Sequence, residues 1–74
     1  MTCIDTVATG ANIKTMMQNK GFTVRDIRNA CGFTTDQAVY KWFRGITLPT
    51  VDNMVILAKL FGCTVSDILV VVER

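Results

Sequence analysis

Five glycines, at positions 10, 21, 32, 45 and 62, divide the chain into segments of 10 to 16 residues. That length suits short helices with their turns and leaves room for little else. Within the segments, apolar residues recur at helical spacing. Ile13, Met16 and Met17 stand at i, i+3 and i+4, one helical face. The pattern predicts a first helix running from a Thr9 cap to Gly21. A second runs from Thr23 to Cys31, with Val24, Ile27 and Cys31 as its apolar stripe and Gly32 at its end. Thr23 is followed three residues later by Asp26, a capping box in which Asp takes the usual Glu or Gln role.

A third helix is expected from about Asp36 to Arg44, capped by Thr35 or Asp36, with Ala38, Val39 and Trp42 facing inward. Ile46 to Thr50 reads as an extended connection, because Leu48 precedes the single proline, Pro49. The fourth helix runs from Val51 to Phe61, with Val51, Met54, Leu57, Ala58 and Phe61 on its inner face. The fifth is short, Ser66 to about Leu69, after a Thr64 cap. Val70, Val71 and Val72 are β-branched and suit an extended tail. The sum is an all-α, compact five-helix domain over residues 1–74, with its core at about 9–69. The tight glycine-containing turn between Ile27 and Trp42 is a helix-turn-helix signature.

Composition narrows the function. Half of the 74 residues are apolar, enough for one small core, and the chain is too short for a second domain and a deep cleft. The longest apolar runs, 54–58 and 68–72, have five residues each. Spanning a bilayer takes about 20. The first residues lack the basic start and long apolar block of a signal peptide, so a cytoplasmic location is expected. Histidine is absent, which removes the commonest general base and metal ligand. Cys3, Cys31 and Cys63 are too widely spaced for the paired ligands of a zinc site, and their odd number suits reduced thiols. No enzyme, cofactor, metal or small-molecule substrate is therefore expected. Eight Lys and Arg against six Asp and Glu give a charge of +2, which permits nucleic acid as a partner without demanding it.

Several segments carry a resemblance. Phe22 to Ile27, Cys31-Gly32-Phe33, Val39 to Gly45 and Leu48-Pro49-Thr50, followed without a gap by Val51 to Leu69, resemble the lambda-repressor/Cro-like helix-turn-helix family of XRE type. The similarity covers roughly residues 9 to 69. It implies a transcriptional regulator, repressor-like, whose third helix enters the major groove of double-stranded DNA. By position, Asp36, Gln37, Tyr40 and Lys41 become the expected base readers, and Thr35, Arg44 and Thr47 the expected phosphate contacts. Gln37 has the chemistry to pair with adenine and Lys41 to reach guanine O6 and N7.

Three features depart from the family pattern. The turn spanning Gly32 to Ala38 reads one residue longer than usual, Arg28 replaces a small alanine, and Val24 replaces a polar residue. A longer turn would let Arg28 out to solvent. Asp36 reads equally as a helix cap or as a cytosine reader. Trp42 belongs to the core, Met16 and Met17 fill it, and Phe43 is expected to pack on the loop around Ile46 and Leu48.

Ile56, Leu60, Val70, Val71 and Val72 form a further apolar set, expected to hold a homodimer together. Its alternative is a tail that covers the fourth helix within one monomer. A second functional reading is a protein-interaction module on the same fold, such as an antitoxin or a co-regulator subunit.

Overall fold

A computed structural model describes residues 1–74. The element order is β1 (Thr2–Ile4), α1 (Thr6–Asn19), α2 (Val24–Cys31), α3 (Gln37–Phe43), α4 (Val51–Phe61), α5 (Val65–Ile68) and β2 (Val71–Glu73). The five expected helices are present. Four of the five glycines close a helix in the left-handed conformation, at 21, 32, 45 and 62. A side chain there would be strained, so these positions stop the helices as the sequence pattern implies.

Gly10 behaves differently. It lies inside α1, which starts a turn earlier than expected, because Asp5 rather than Thr9 is the cap. The Asp5 carboxylate accepts the Ala8 N–H at 2.9 Å. Thr9 is instead fully buried, and its hydroxyl accepts the Val70 N–H at 3.0 Å. A Cβ built on Gly10 would stand 1.8 Å from the carbonyl oxygen of Trp42. The glycine is therefore the point where α1 and the C-terminal end of α3 approach backbone to backbone. Gly45 makes a second such point, with an added Cβ 2.7 Å from a methyl of Val7.

The core gathers Ile13 and Met17 from α1, Ile27 from α2, Val39 and Trp42 from α3, Met54, Leu57, Ala58 and Phe61 from α4, and Ile68 from α5. Fully burying a side chain of this kind contributes about 1.5–3 kcal/mol. Phe33 meets Trp42 edge-on at 5.7 Å, and Phe22 sits 6.1 Å from Phe61. Of the residues expected to face inward, Met16, Val24, Cys31 and Ala38 are half-buried outside this cluster, and Val51 lies at the surface. Val51, the first residue of α4, is 81% exposed.

The tail is extended, but it has a partner absent from the expected architecture. β2 pairs antiparallel with β1, in the register Thr2↔Glu73, Cys3↔Val72 and Ile4↔Val71. Val70 is tied down just before it: its carbonyl accepts the Asp5 N–H at 2.8 Å. The Asn12 side-chain amide donates to the Asp67 and Ile68 carbonyls at 3.0 and 2.9 Å, closing the end of α5. No helix is long and apolar enough to cross a membrane.

Candidate nucleic-acid interface

Helix α3 exposes one face. Val39 and Trp42 are buried, Ala38 and Phe43 partly so, while Gln37, Tyr40, Lys41 and Arg44 stand out. The exposed four are spaced i, i+3, i+4 and i+7, which keeps them in one stripe. Thr35 before the helix and Thr47 after it are exposed too. The residues expected from sequence to meet DNA thus lie on or beside a single helical surface, with Asp36 as the exception.

Asp36 precedes α3 but makes no side-chain cap. Its Oδ1 lies 3.2 Å from Nη1 of Arg28, without hydrogen-bond alignment. Arg28 is therefore not released to solvent. It reaches from α2 across residues 32–36 to the start of α3, and its side chain is 26% exposed.

Phe43 is half-buried, and in the loop after α3 Ile46 is 60% exposed. Phe43 packs against the core and meets Tyr40 edge-on at 6.1 Å. Lys14 of α1 holds its ammonium 5.9 Å above the Phe43 ring. Lys14, Met17, Val24, Gln37, Tyr40, Phe43 and Arg44 line an open cleft of about 560 Å³. Its apolar floor is edged by an amide, a phenol and two cations. Val24, which departs from the family pattern, forms part of that floor.

Lys14 is the residue that sequence reasoning missed. A signal existed: Gly10, Lys14 and Met17 stand at i, i+4 and i+7, so they share the face on which α1 receives α3. The face gains charge from this packing. Lys14 and Arg44 line the same cleft, Lys41 stands three residues before Arg44 on the exposed stripe, and the one acid beside α3 is already paired. The other acids serve elsewhere: Asp5, Asp26 and Asp67 cap helices, Asp52 lies in the first turn of α4, and Glu73 lies in the ribbon. A chain with a charge of only +2 can in this way present a locally basic surface.

Burial pushes the Cys31 thiol up. Burial, aided by the Asp67 charge, does the same to Cys63, with Lys20 opposing. Neither favours the thiolate a nucleophile needs. No three His, Cys, Asp or Glu residues cluster as metal ligands.

The apolar set expected at a dimer interface is unevenly exposed. Leu60 packs on the core, Ile56, Val70 and Val72 are half-buried, and Val71 is 51% exposed. Val71 shares a ribbon face with Ile4, and Ile4 lines a small apolar groove with Leu48, Pro49, Val51, Met54, Val65 and Leu69.

Residues 13–68 match the family model described as helix-turn-helix. The chain belongs to that family, in its lambda-repressor-like (XRE) branch. Its fold is similar to that of the restriction-modification controller protein C.AhdI from Aeromonas hydrophila, with a TM-score of 0.75 at 19% identity, covering 86% of this chain and 96% of that one. The DNA-binding domain of BldD aligns with a TM-score of 0.71 at 19% identity, covering 89% and 94%. The clp gene regulator ClgR from C. glutamicum gives 0.71 at 21%, covering 84% and 79%. No curated protein matches the sequence.

Proposed function

We propose that this domain is a sequence-specific regulator of transcription that binds duplex DNA, acts in the cytoplasm, and is repressor-like in mode. The observation that carries the reading is the single exposed stripe of Gln37, Tyr40, Lys41 and Arg44 on α3, flanked by Lys14. An exposed helix of this width fits the major groove. Gln37 and Lys41 act as base readers, with Tyr40 beside them. Lys14, Thr35, Arg44 and Thr47 contact phosphate. Similar folds in proteins described as a controller protein, a DNA-binding domain and a gene regulator support the reading.

The domain acts as a homodimer, because a single seven-residue helix reads few base pairs and two copies double the site. Of the apolar set Ile56, Leu60, Val70, Val71 and Val72, the exposed Val71 contributes most, and Ile4 and Val51 extend its surface. Sedimentation of a monomer alone at high micromolar concentration would refute the dimer.

The function is tested by selecting duplexes from a random library with the purified protein, then titrating salt on the winner. A two-fold-symmetric motif is expected, bound with an affinity that falls by about 0.9 log units per log unit of salt for each phosphate contacted. No enrichment, together with salt-independent behaviour, would favour a protein-interaction module.

A further inference from the structure

An acid at the threshold of a DNA-reading helix is a disadvantage, because phosphates repel it. Asp36 occupies that threshold, directly before Gln37. It does not cap the helix. Nor does its ion pair offer a strong reason in stability, since both side chains are partly exposed, at 26% and 38%, and such pairs contribute little. What the pair does is geometric. Arg28 draws the carboxylate back toward α2 and supplies its counter-charge at 3.2 Å. Removing Arg28 would leave Asp36 Oδ1, already closed off from solvent and without a hydrogen bond, with no partner. The carboxylate would then turn outward, toward the surface that Gln37 and Lys41 present.

We propose that Arg28 is a positioning residue for DNA recognition: it holds Asp36 neutralised and turned away, so that Gln37 and Lys41 approach the groove without a competing negative charge. The role rests on the duplex-binding function proposed above. It accounts for a large cation where the family pattern has a small alanine. It also separates two departures from the family pattern, the long turn and Arg28, into a gap and the side chain that spans it.

The test compares four proteins on the duplex selected by the unmodified chain: the chain itself, Arg28→Met, Asp36→Asn, and the double variant. Affinity is measured across a salt series, and thermal melting is followed in parallel. Arg28→Met is expected to bind about tenfold more weakly, the effect of an unmatched charge facing a like charge, while melting shifts little. Asp36→Asn binds like the unmodified chain. The double variant recovers to the level of Asp36→Asn, which a merely structural role for Arg28 would not produce.

Three results would overturn the proposal. If the double variant stays weak and its salt dependence is shallower by about one unit, Arg28 itself touches a phosphate. If Asp36→Asn alone loses affinity at one base position, Asp36 is a reader. If the unmodified chain selects no duplex at all, the DNA-binding function fails and the role of Arg28 fails with it. Should Arg28→Met not fold, Arg28→Gln with and without Asp36→Asn supplies the same comparison.

Discussion

Four helices of this domain begin on a side-chain cap, and α3, which carries the exposed stripe, does not. Asp5, Thr23, Thr50 and Thr64 each accept a backbone N–H of the helix they precede. At α2 and α5 the box is complete, because Asp26 and Asp67 return the bond to the cap residue. These starts are set within four residues of sequence. The start of α3 has no such local bond: Arg28 of α2 stands 3.2 Å from Asp36 there, and α1 meets the far end of the helix at Gly10 and Gly45. The difference separates scaffold from working part. A helix stopped and started locally needs no neighbour to define it, whereas α3 takes its pose from contacts that tertiary folding supplies.

The largest expected effect breaks that outside support. In Gly10→Ala the new methyl group meets the Trp42 carbonyl, which belongs to backbone and cannot swing away. Overpacking costs about 1–3 kcal/mol and at times more. A core this small supplies little over about 3–5 kcal/mol in all. A Cβ only 1.8 Å from that oxygen puts the cost at the upper end, so thermal melting should show a drop of about 12–24 °C, at roughly 4–8 °C for each kcal/mol. An unchanged midpoint would mean that α1 and α3 do not meet as described.

Lys41→Ala comes next and acts on the other side of the comparison. Lys41 is exposed and supports no packing. DNA affinity is expected to fall by about 1–3 kcal/mol with relaxed specificity at one base position, and melting should stay the same. Fluorescence anisotropy on the selected duplex and its single-base variants reads both quantities.

The caps give a smaller and more pointed contrast. Thr64→Ala should cost about 1 kcal/mol of stability without weakening DNA binding. Asp36→Ala should cost less stability than Thr64→Ala, since the Asp36 side chain holds no N–H of its helix. Equal losses in urea denaturation would erase the distinction between the two kinds of helix start.

The smallest effect concerns acid. The Thr64 N–H, followed by the Thr64 hydroxyl, holds the Asp67 carboxyl below its ordinary value of 3.8. A lowered folded-state pKa contributes stability at pH values above the ordinary one and loses it as pH falls through the lowered one. Melts between about pH 5 and pH 2 should show a slightly shallower acid decline in Asp67→Asn. An identical decline in both proteins would show that the box contributes nothing through charge.

Local features were the legible ones. The Thr23–Asp26 box, the glycine stops and the Val39–Trp42 face all depend on neighbours within a few residues, and each stands where the sequence pattern puts it. Gly10 was misread as punctuation because the residue it accommodates, Trp42, lies 32 positions away. Thr9 looked like a cap for the same reason, as its actual partner is Val70. The β1–β2 ribbon joins the two ends of the chain, beyond the reach of any short-range pattern. At the candidate interface, the family resemblance pointed to Gln37, Tyr40, Lys41 and Arg44, and their i, i+3, i+4 and i+7 spacing puts them on one face. Neither brought in Lys14, which arrives on a different helix, or the ion pair between Arg28 and Asp36.

The central claim is that the exposed face of α3 reads duplex DNA. Backbone amide chemical-shift mapping of the isotopically labelled protein, titrated with its selected duplex, tests it most directly. The account predicts that the largest perturbations fall on residues 35–44 and Lys14, with the terminal ribbon little changed beyond the effect of pairing two copies. Perturbations concentrated at Ile4, Val51 and Val71, with α3 unmoved, would contradict it.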